Sequence, residues 1–137
     1  MNNEDAQQLA EQWLTESTES ATRKDLEGHM GMISKRVSVE GVPGFDNIDY
    51  DQWYGQCKHQ FENAMIKSLA YKGFNLVSAT DTQIMFTVYE TVVGMDGTLN
   101  EQVVEMSLEK EQDEVWRLVH ERILIENEAM REHELAK

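Results

Sequence analysis

The chain has 137 residues, a length that suits one domain and is too short for two sizeable ones. Hydrophobic residues make up 40% of the sequence and charged residues 28%, a balance typical of globular proteins. No apolar run approaches the roughly 18 residues that a membrane span requires. Acidic residues outnumber basic ones by 26 to 12, giving a formal net charge of −14. Because this charge repels phosphate backbones, we expect neither nucleic-acid nor membrane partners.

The two ends of the chain and its single cysteine bear on location. Residues 1–5 lack the basic and apolar segments of a secretory signal, and Cys57 has no second cysteine with which to form an intramolecular disulfide. Both features predict a cytoplasmic protein. Residues 126–137 are acidic and contain few apolar side chains, so the pattern allows a terminal helix without requiring one. We expect the folded core to span about residues 5–125.

The first half of the sequence has the periodicity of helices. Between residues 5 and 23, apolar side chains recur at helical spacing, which predicts one amphipathic helix. Asp25 is a suitable N-cap for a short second helix that ends by residue 33. Asp49 or Asp51 can cap a third helix that runs to about residue 66.

The second half changes to the period of two that is typical of strands. A short strand over residues 36–40 is followed, after the third helix, by runs over residues 67–80, 83–93, 99–111 and 114–125. Short separators predict antiparallel hairpins, and the length of the runs predicts a strongly bent sheet. Gly73 is a candidate bulge. The elements predict an α+β fold in which three helices pack on a strongly curved antiparallel sheet.

Several segments resemble a known family. Asp-Leu-Glu-Gly at residues 25–28 is followed without gaps by Val-Ser-Val-Glu-Gly at residues 37–41 and by Pro43-Gly44. Near the end lies Val-Trp-Arg-Leu-Val-His-Glu-Arg-Ile, residues 115–123. With the order of elements, these segments resemble the nuclear transport factor 2-like (NTF2-like) superfamily, which includes SnoaL-like cyclases and ketosteroid isomerases. The resemblance implies a single cone-shaped, cystatin-like domain with a pocket at its open end.

The resemblance does not extend to the catalytic residues of the isomerases. In those enzymes a Tyr of the first helix forms the oxyanion hole and an Asp after the first strand removes the proton. Along the ungapped spacing these positions fall on Ser17 and Gly41. We therefore do not expect a ketosteroid isomerase, and the family's range of functions leaves the activity open.

The last strand carries the candidate catalytic residue. Strict alternation places Trp116, Leu118, His120 and Arg122 on one face and Val115, Val119, Ile123 and Ile125 on the other. If the first face lines the pocket, His120 beside Arg122 and Glu90 can exchange protons or bind an anionic group. The alternative is that His120 is a hydrogen-bonded wall residue. The second face would be an aliphatic outer surface, which predicts a homodimer through the outer sheet face.

A second group of residues is expected at the mouth of the pocket. Trp13, Ser17, Trp53 and Tyr54 are the ligand-binding candidates there, together with Glu90 and Arg122. The histidines lack metal-ligand spacing, and no nucleotide or phosphate motif is present, so we expect neither a metal nor a cofactor. Cys57 is interpreted as a small buried side chain rather than as a nucleophile.

Three functions follow from these residues. The first is a SnoaL-like protein that binds a small apolar or anionic molecule in an apolar pocket without catalysis. The second is a cofactor-free acid–base enzyme, of the isomerase, cyclase or dehydratase type, that acts on a carbonyl compound through His120. The third is a pure association module, which predicts no cavity near Trp13, Ser17 and His120.

Overall fold

Three helices and one strand precede a meander of four long strands. The computed structural model describes residues 1–124, and its elements are α1 (Asn3–Thr22), α2 (Leu26–Met30), β1 (Ile33–Glu40), α3 (Tyr50–Glu62), β2 (Ile66–Ala79), β3 (Gln83–Gly94), β4 (Leu99–Lys110) and β5 (Trp116–Ile123). The α+β class and the order of elements predicted from periodicity are confirmed. The acidic segment 126–137 lies outside the described residues.

None of the helices within residues 1–124 is long and apolar enough to cross a membrane. A cytoplasmic location stays a prediction.

Two of the predicted helix starts are fixed by side-chain caps. The Asp25 carboxylate accepts a hydrogen bond of 3.0 Å from the Gly28 backbone N–H and so caps α2. At the start of α3, the Asp49 carboxylate accepts from the Gln52 N–H while the Gln52 side chain accepts from the Asp49 N–H, each at 2.9 Å. This reciprocal capping box satisfies backbone donors that the first turn leaves unpaired.

The five strands form one sheet in the order β1-β5-β4-β3-β2. The pairs β2–β3, β3–β4 and β4–β5 are antiparallel, as the short separators predict. The pair β1–β5 is parallel, so the sheet is mixed rather than wholly antiparallel. The reason is that the chain returns from β1 to β5 through α3 and three further strands instead of through one tight turn.

The core lies between the helices and the inner face of the curved sheet. Helix α1 packs against β2 and α2, and α3 packs against β1. The buried cluster there includes Trp13 of α1, Phe86 of β3, Met106 of β4 and Leu118 of β5. Phe86 and Leu118 have no exposed surface, so this part of the inner face is fully covered.

Register shifts interrupt several of the strand pairs, and two of them bear on the predicted alternation of side chains. Gly73, at φ +69°, lies where the β2–β3 register shifts between Lys72 and Asn75, which confirms the predicted bulge. The other bulge was not predicted. Ser107 of β4 pairs with His120 while Leu108 pairs with Leu118, so Val119 is an extra residue in β5.

The Val119 bulge changes which side chains of β5 face the core. Before it, Leu118 points to the inner face, and after it Glu121 and Ile123 do so beside Met106 and Val104. His120 and Arg122 pair with Ser107 and Glu105 and point to the outer face. The predicted placement of His120 and Arg122 on the pocket face, and of Ile123 on the outer face, is therefore wrong. Ile125 lies outside the described residues.

The outer face of β5 is also not the aliphatic surface that the alternation predicts. Its side chains after the bulge are His120 and Arg122, and the neighbouring ones on β4 are Glu105 and Ser107. A homodimer through the outer sheet face stays a prediction, and β5 would contribute the polar side chains of His120 and Arg122 to it rather than an aliphatic surface. Light scattering at several concentrations measures this oligomeric state directly.

Two glycines with the same backbone conformation provide a test of the β1–β5 junction. Gly41 and Gly44 both have φ +87°, but a Cβ at Gly41 would lie 2.4 Å from the Ile123 carbonyl oxygen, whereas a Cβ at Gly44 would meet nothing within 4 Å. We expect Gly44→Ala to lower the free energy of unfolding by about 1 kcal/mol. Gly41→Ala should lower it by roughly 1–3 kcal/mol more, because the two strands must separate. Urea denaturation measures both, and equal losses would contradict the described packing.

Candidate functional site

A cavity of about 490 Å³ lies between the helices and the inner face of the sheet. Its apolar walls come from every layer of the fold and include Trp13, Val39, Trp53, Leu69, Val92 and Ile123. The polar side chains that reach it include Ser17, His29, Tyr71, Glu90, Gln102 and Glu121. Among the described residues, neither Lys nor Arg lines it. The cavity is thus apolar in outline, with two carboxyl groups inside.

The Glu90 carboxyl is held by two neighbours. The Tyr71 hydroxyl of β2 donates to Glu90 Oε2 at 3.1 Å, and Gln102 Nε2 of β4 donates to Oε1 at 2.9 Å. These strands lie on either side of β3, with Tyr71 and Gln102 directly paired to Glu90. The sheet register therefore fixes the orientation of Glu90 from both sides.

Glu121 is the unusual group of the cavity. The residue is only 8% exposed and lines the cavity from β5. Within residues 1–124, no donor forms a hydrogen bond to its carboxyl. A buried carboxyl without a partner is destabilising in its charged form and uncommon in proteins, where nearly all buried polar groups are bonded.

Burial shifts the protonation of this site. It raises the pKa of Glu90, and burial together with repulsion from Glu90 raises the pKa of Glu121 well above its ordinary value. Burial also raises the pKa of Tyr71, which therefore remains a hydrogen-bond donor. Since two neighbouring carboxyls in a low dielectric resist double ionisation, the pair keeps a proton above the pH at which an exposed Glu loses it.

A histidine that the sequence did not single out as a site residue also lines the cavity. His29 Nδ1 and the Ser20 hydroxyl share a hydrogen bond of 2.8 Å, and the ring packs edge-on against Phe61. Burial lowers the pKa of His29, so the imidazole is neutral at physiological pH. Burial also raises the pKa of Cys57 to about 11, in keeping with its interpretation as a buried thiol.

The structure brings four of the predicted site residues together. Trp13, Ser17, Trp53 and Glu90 all line the cavity. Their role in ligand binding stays a prediction.

Three other predicted site residues lie elsewhere. His120 Nε2 is 3.3 Å from Glu40 Oε2, and Arg122 is 3.6 Å from Glu105, both on the outer face because of the Val119 bulge. The Tyr54 hydroxyl donates to Glu27 Oε1 at 2.6 Å, because its position on α3 directs it to the surface. The predicted location of these residues in the pocket is therefore wrong.

Tyr71, Gln102 and Glu121 were missed in the sequence. The period of two in β2 and β4 could have placed Tyr71 and Gln102 beside Glu90, had the pairing register been known. No such signal exists for Glu121, since its inward orientation depends on a bulge at an ordinary Val. Among residues 1–124, no three His, Cys, Asp or Glu side chains lie together in a way that could hold a metal ion.

Comparison with solved structures identifies the fold. A cystatin-like protein of unknown function from Nostoc punctiforme superposes with a TM-score of 0.67 at 15% identity, over 90% of this chain and 92% of that one. A candidate dehydratase of the NTF2-like family from Streptomyces avermitilis superposes with a TM-score of 0.65 at 15% identity, over 89% and 97%. The chain has the NTF2-like fold.

One of the similar structures is a longer chain. Bd1075 of Bdellovibrio bacteriovorus superposes with a TM-score of 0.65 at 13% identity over 85% of this chain, which spans 40% of Bd1075. No family model and no curated protein matches the sequence. At these identities the likeness establishes the fold alone, and the function must be argued from the cavity.

The protonation of the carboxyl pair makes a prediction about stability. The pair retains in the folded state a proton that the unfolded chain, with an ordinary Glu pKa of 4.5, releases. The contribution of the pair to the free energy of unfolding should therefore fall as the pH rises above about 4.5. Glu121→Gln removes the repulsion and one of the two ionisations. Its stability relative to the wild type should rise between pH 5 and 8, by at most about 1.4 kcal/mol per pH unit.

Urea denaturation at several pH values measures this difference. Glu62→Gln is the matched control, because Glu62 is exposed on α3 and the substitution removes the same formal charge. The Glu62→Gln stability should run parallel to that of the wild type. A pH-independent difference between Glu121→Gln and the wild type would contradict the raised pKa.

Proposed function

We propose that this protein binds a small, largely apolar molecule in the cavity, with the polar head of the molecule against Glu90 and Glu121. The observation that carries the proposal is the carboxyl of Glu121, which is 8% exposed inside a cavity of about 490 Å³ and receives no hydrogen bond from residues 1–124. That volume is within the range of about 300–1,000 Å³ typical of ligand sites. A ligand head would satisfy the carboxyl that residues 1–124 leave without a hydrogen bond.

The walls of the cavity support the same proposal. Trp13, Trp53 and Leu69 offer apolar surface against which a hydrocarbon or aromatic body can pack. The cavity beside Trp13 and Ser17 disfavours the association-module hypothesis, which requires that space to be filled. The Streptomyces avermitilis protein with this fold is described as a candidate dehydratase, a class of enzyme that acts on small molecules.

Filling the cavity tests the proposal. Val92 and Val93 are neighbours on β3, and only Val92 lines the cavity. The probes are 4-phenyl-2-butanone and 4-phenylbutylamine, and binding is followed by NMR through the amide chemical shifts of cavity residues. We expect saturable shifts in wild-type protein and in Val93→Trp, with a dissociation constant of about 1 mM or below for at least one of the two probes. Val92→Trp should weaken that binding at least tenfold, because the indole occupies the site. Binding by neither probe, or equal binding by both variants, would contradict the proposal.

A second candidate function is cofactor-free acid–base catalysis on a carbonyl compound. The observation that favours it is the pairing of two carboxyls whose pKa values are raised by their surroundings. Protonated Glu121 is placed to give a proton to a carbonyl oxygen, while ionised Glu90, fixed by Tyr71 and Gln102, takes one from the adjacent carbon. In this scheme the proton-transfer role predicted for His120 belongs to the carboxyl pair.

Hydrogen exchange tests this second function. In D2O, wild-type protein should accelerate deuterium incorporation at the carbons beside the carbonyl of 4-phenyl-2-butanone, measured by proton NMR. Glu90→Gln should lower that rate by about 10²–10⁴-fold, since it removes the base. His120→Ala is the matched control and should keep the rate, because His120 lies on the outer face. Bound ketone without exchange would leave only the binding function, and loss of exchange in His120→Ala would restore His120 as the catalytic residue.

A further inference from the structure

We infer that the polar head of the ligand is a cation, and specifically a protonated amine carried on an apolar body. This inference rests on the proposed binding function and specifies the ligand class. The sequence instead suggested an apolar or anionic molecule, and its anionic alternative depended on Arg122 and His120. Both of these residues lie on the outer face of the sheet.

The charges inside the cavity are of one sign. Glu90 and Glu121 line it, and no Lys or Arg among the described residues does. The two carboxyls are close enough for the Glu90 charge to disfavour ionisation of Glu121. One positive charge placed between them is attracted by both, whereas an anionic head is repelled by both.

The hydrogen-bonding capacity of the carboxyls also fits an ammonium. Each Glu90 oxygen already accepts one bond, from Tyr71 or from Gln102, and has room for a second. Neither Glu121 oxygen accepts any from residues 1–124. An ammonium has three N–H donors to offer these acceptors, while a ketone has none.

The walls around the pair suit the rest of such a ligand. Trp13, Trp53 and Tyr71 line the cavity, and aromatic faces attract cations as well as apolar groups. The formal net charge of −14 also raises the concentration of cations near the protein.

Protonation distinguishes an amine from a neutral ligand. The free pair resists a second ionisation because no Lys or Arg of residues 1–124 lines the cavity to balance a second negative charge. An ammonium supplies that balance, so its binding should expel the proton. The remaining titratable groups that line the cavity are His29, Cys57 and Tyr71, and their shifts keep all three neutral between pH 7 and 8.5. Among the cavity groups of residues 1–124, the carboxyl pair is therefore the one whose ionisation an ammonium would change.

The experiment uses three probes that share a phenyl ring on a short carbon chain. They are 4-phenylbutylamine, 4-phenyl-2-butanone and 4-phenylbutyrate, with cationic, neutral and anionic heads. We expect the amine to bind wild-type protein at least tenfold more tightly than either of the others at pH 8. Its affinity should rise from pH 6.5 to 8, and calorimetry in two buffers of different ionisation enthalpy should show release of up to one proton per ligand.

Two variants connect this preference to the carboxyl pair. Glu121→Gln keeps the shape of the side chain but cannot ionise, so it should weaken amine binding at least tenfold. Ketone binding should stay within about threefold of the wild-type value, because the Gln amide can donate to a carbonyl. Glu62→Gln is the matched control, because it removes the same formal charge from the exposed end of α3. It should leave amine binding unchanged.

The outcomes separate the inference from the proposed function. Tighter binding of the ketone or of the carboxylate, or amine affinity that falls with pH, would overturn the cationic head while leaving the cavity as a ligand site. Equal weakening by Glu121→Gln and Glu62→Gln would also overturn it, since the amine would then respond to overall charge alone. Failure of all three probes to bind would overturn the proposed function itself.

Discussion

The extra residue at Val119 is the constraint on which the site depends. It shifts the alternation of β5 by one residue, so that Leu118, Glu121 and Ile123 all face the interior. Without it, the imidazole of His120 and the guanidinium of Arg122 would face the cavity, and Glu121 would be solvated on the outer face. One residue in the register of the last strand therefore decides the sign of the charge inside the protein.

The carboxyl pair follows from that register. Glu121 enters from β5 and Glu90 from β3, and the two strands are separated only by β4. Tyr71 and Gln102 stabilise Glu90 by hydrogen bonds from both neighbouring strands, while Glu121 receives none from residues 1–124. The asymmetry gives the two groups different roles. Glu90 is oriented and better able to carry the negative charge, and Glu121 is the group that depends on a proton or on a ligand.

The apolar periodicity was sufficient to predict the α+β class and the order of the elements, but not the parallel pairing of β1 with β5. It predicted the helices and the hairpins, because helix and strand patterns reflect burial on one face. Asp25 and Asp49 indicated helix starts because their side chains are suited to capping. Gly73 showed its bulge because a positive φ favours glycine. The Val119 bulge left no such mark, since it needs no special residue, and the strict period of two therefore placed His120, Arg122 and Ile123 on the wrong faces. Tyr71 became a site residue only through the pairing register of β2 and β3.

The central claim is that Glu121 is a buried, proton-holding group of a ligand cavity, and its own titration tests this most directly. NMR of selectively 13C-labelled glutamate side chains follows each carboxyl as the pH changes. We expect Glu121 in the free protein to hold its proton at a pH where a glutamate side chain in water is fully ionised, and saturating 4-phenylbutylamine to shift this titration to lower pH. A Glu121 carboxyl that ionises together with the exposed glutamates would contradict the described cavity and the roles derived from it.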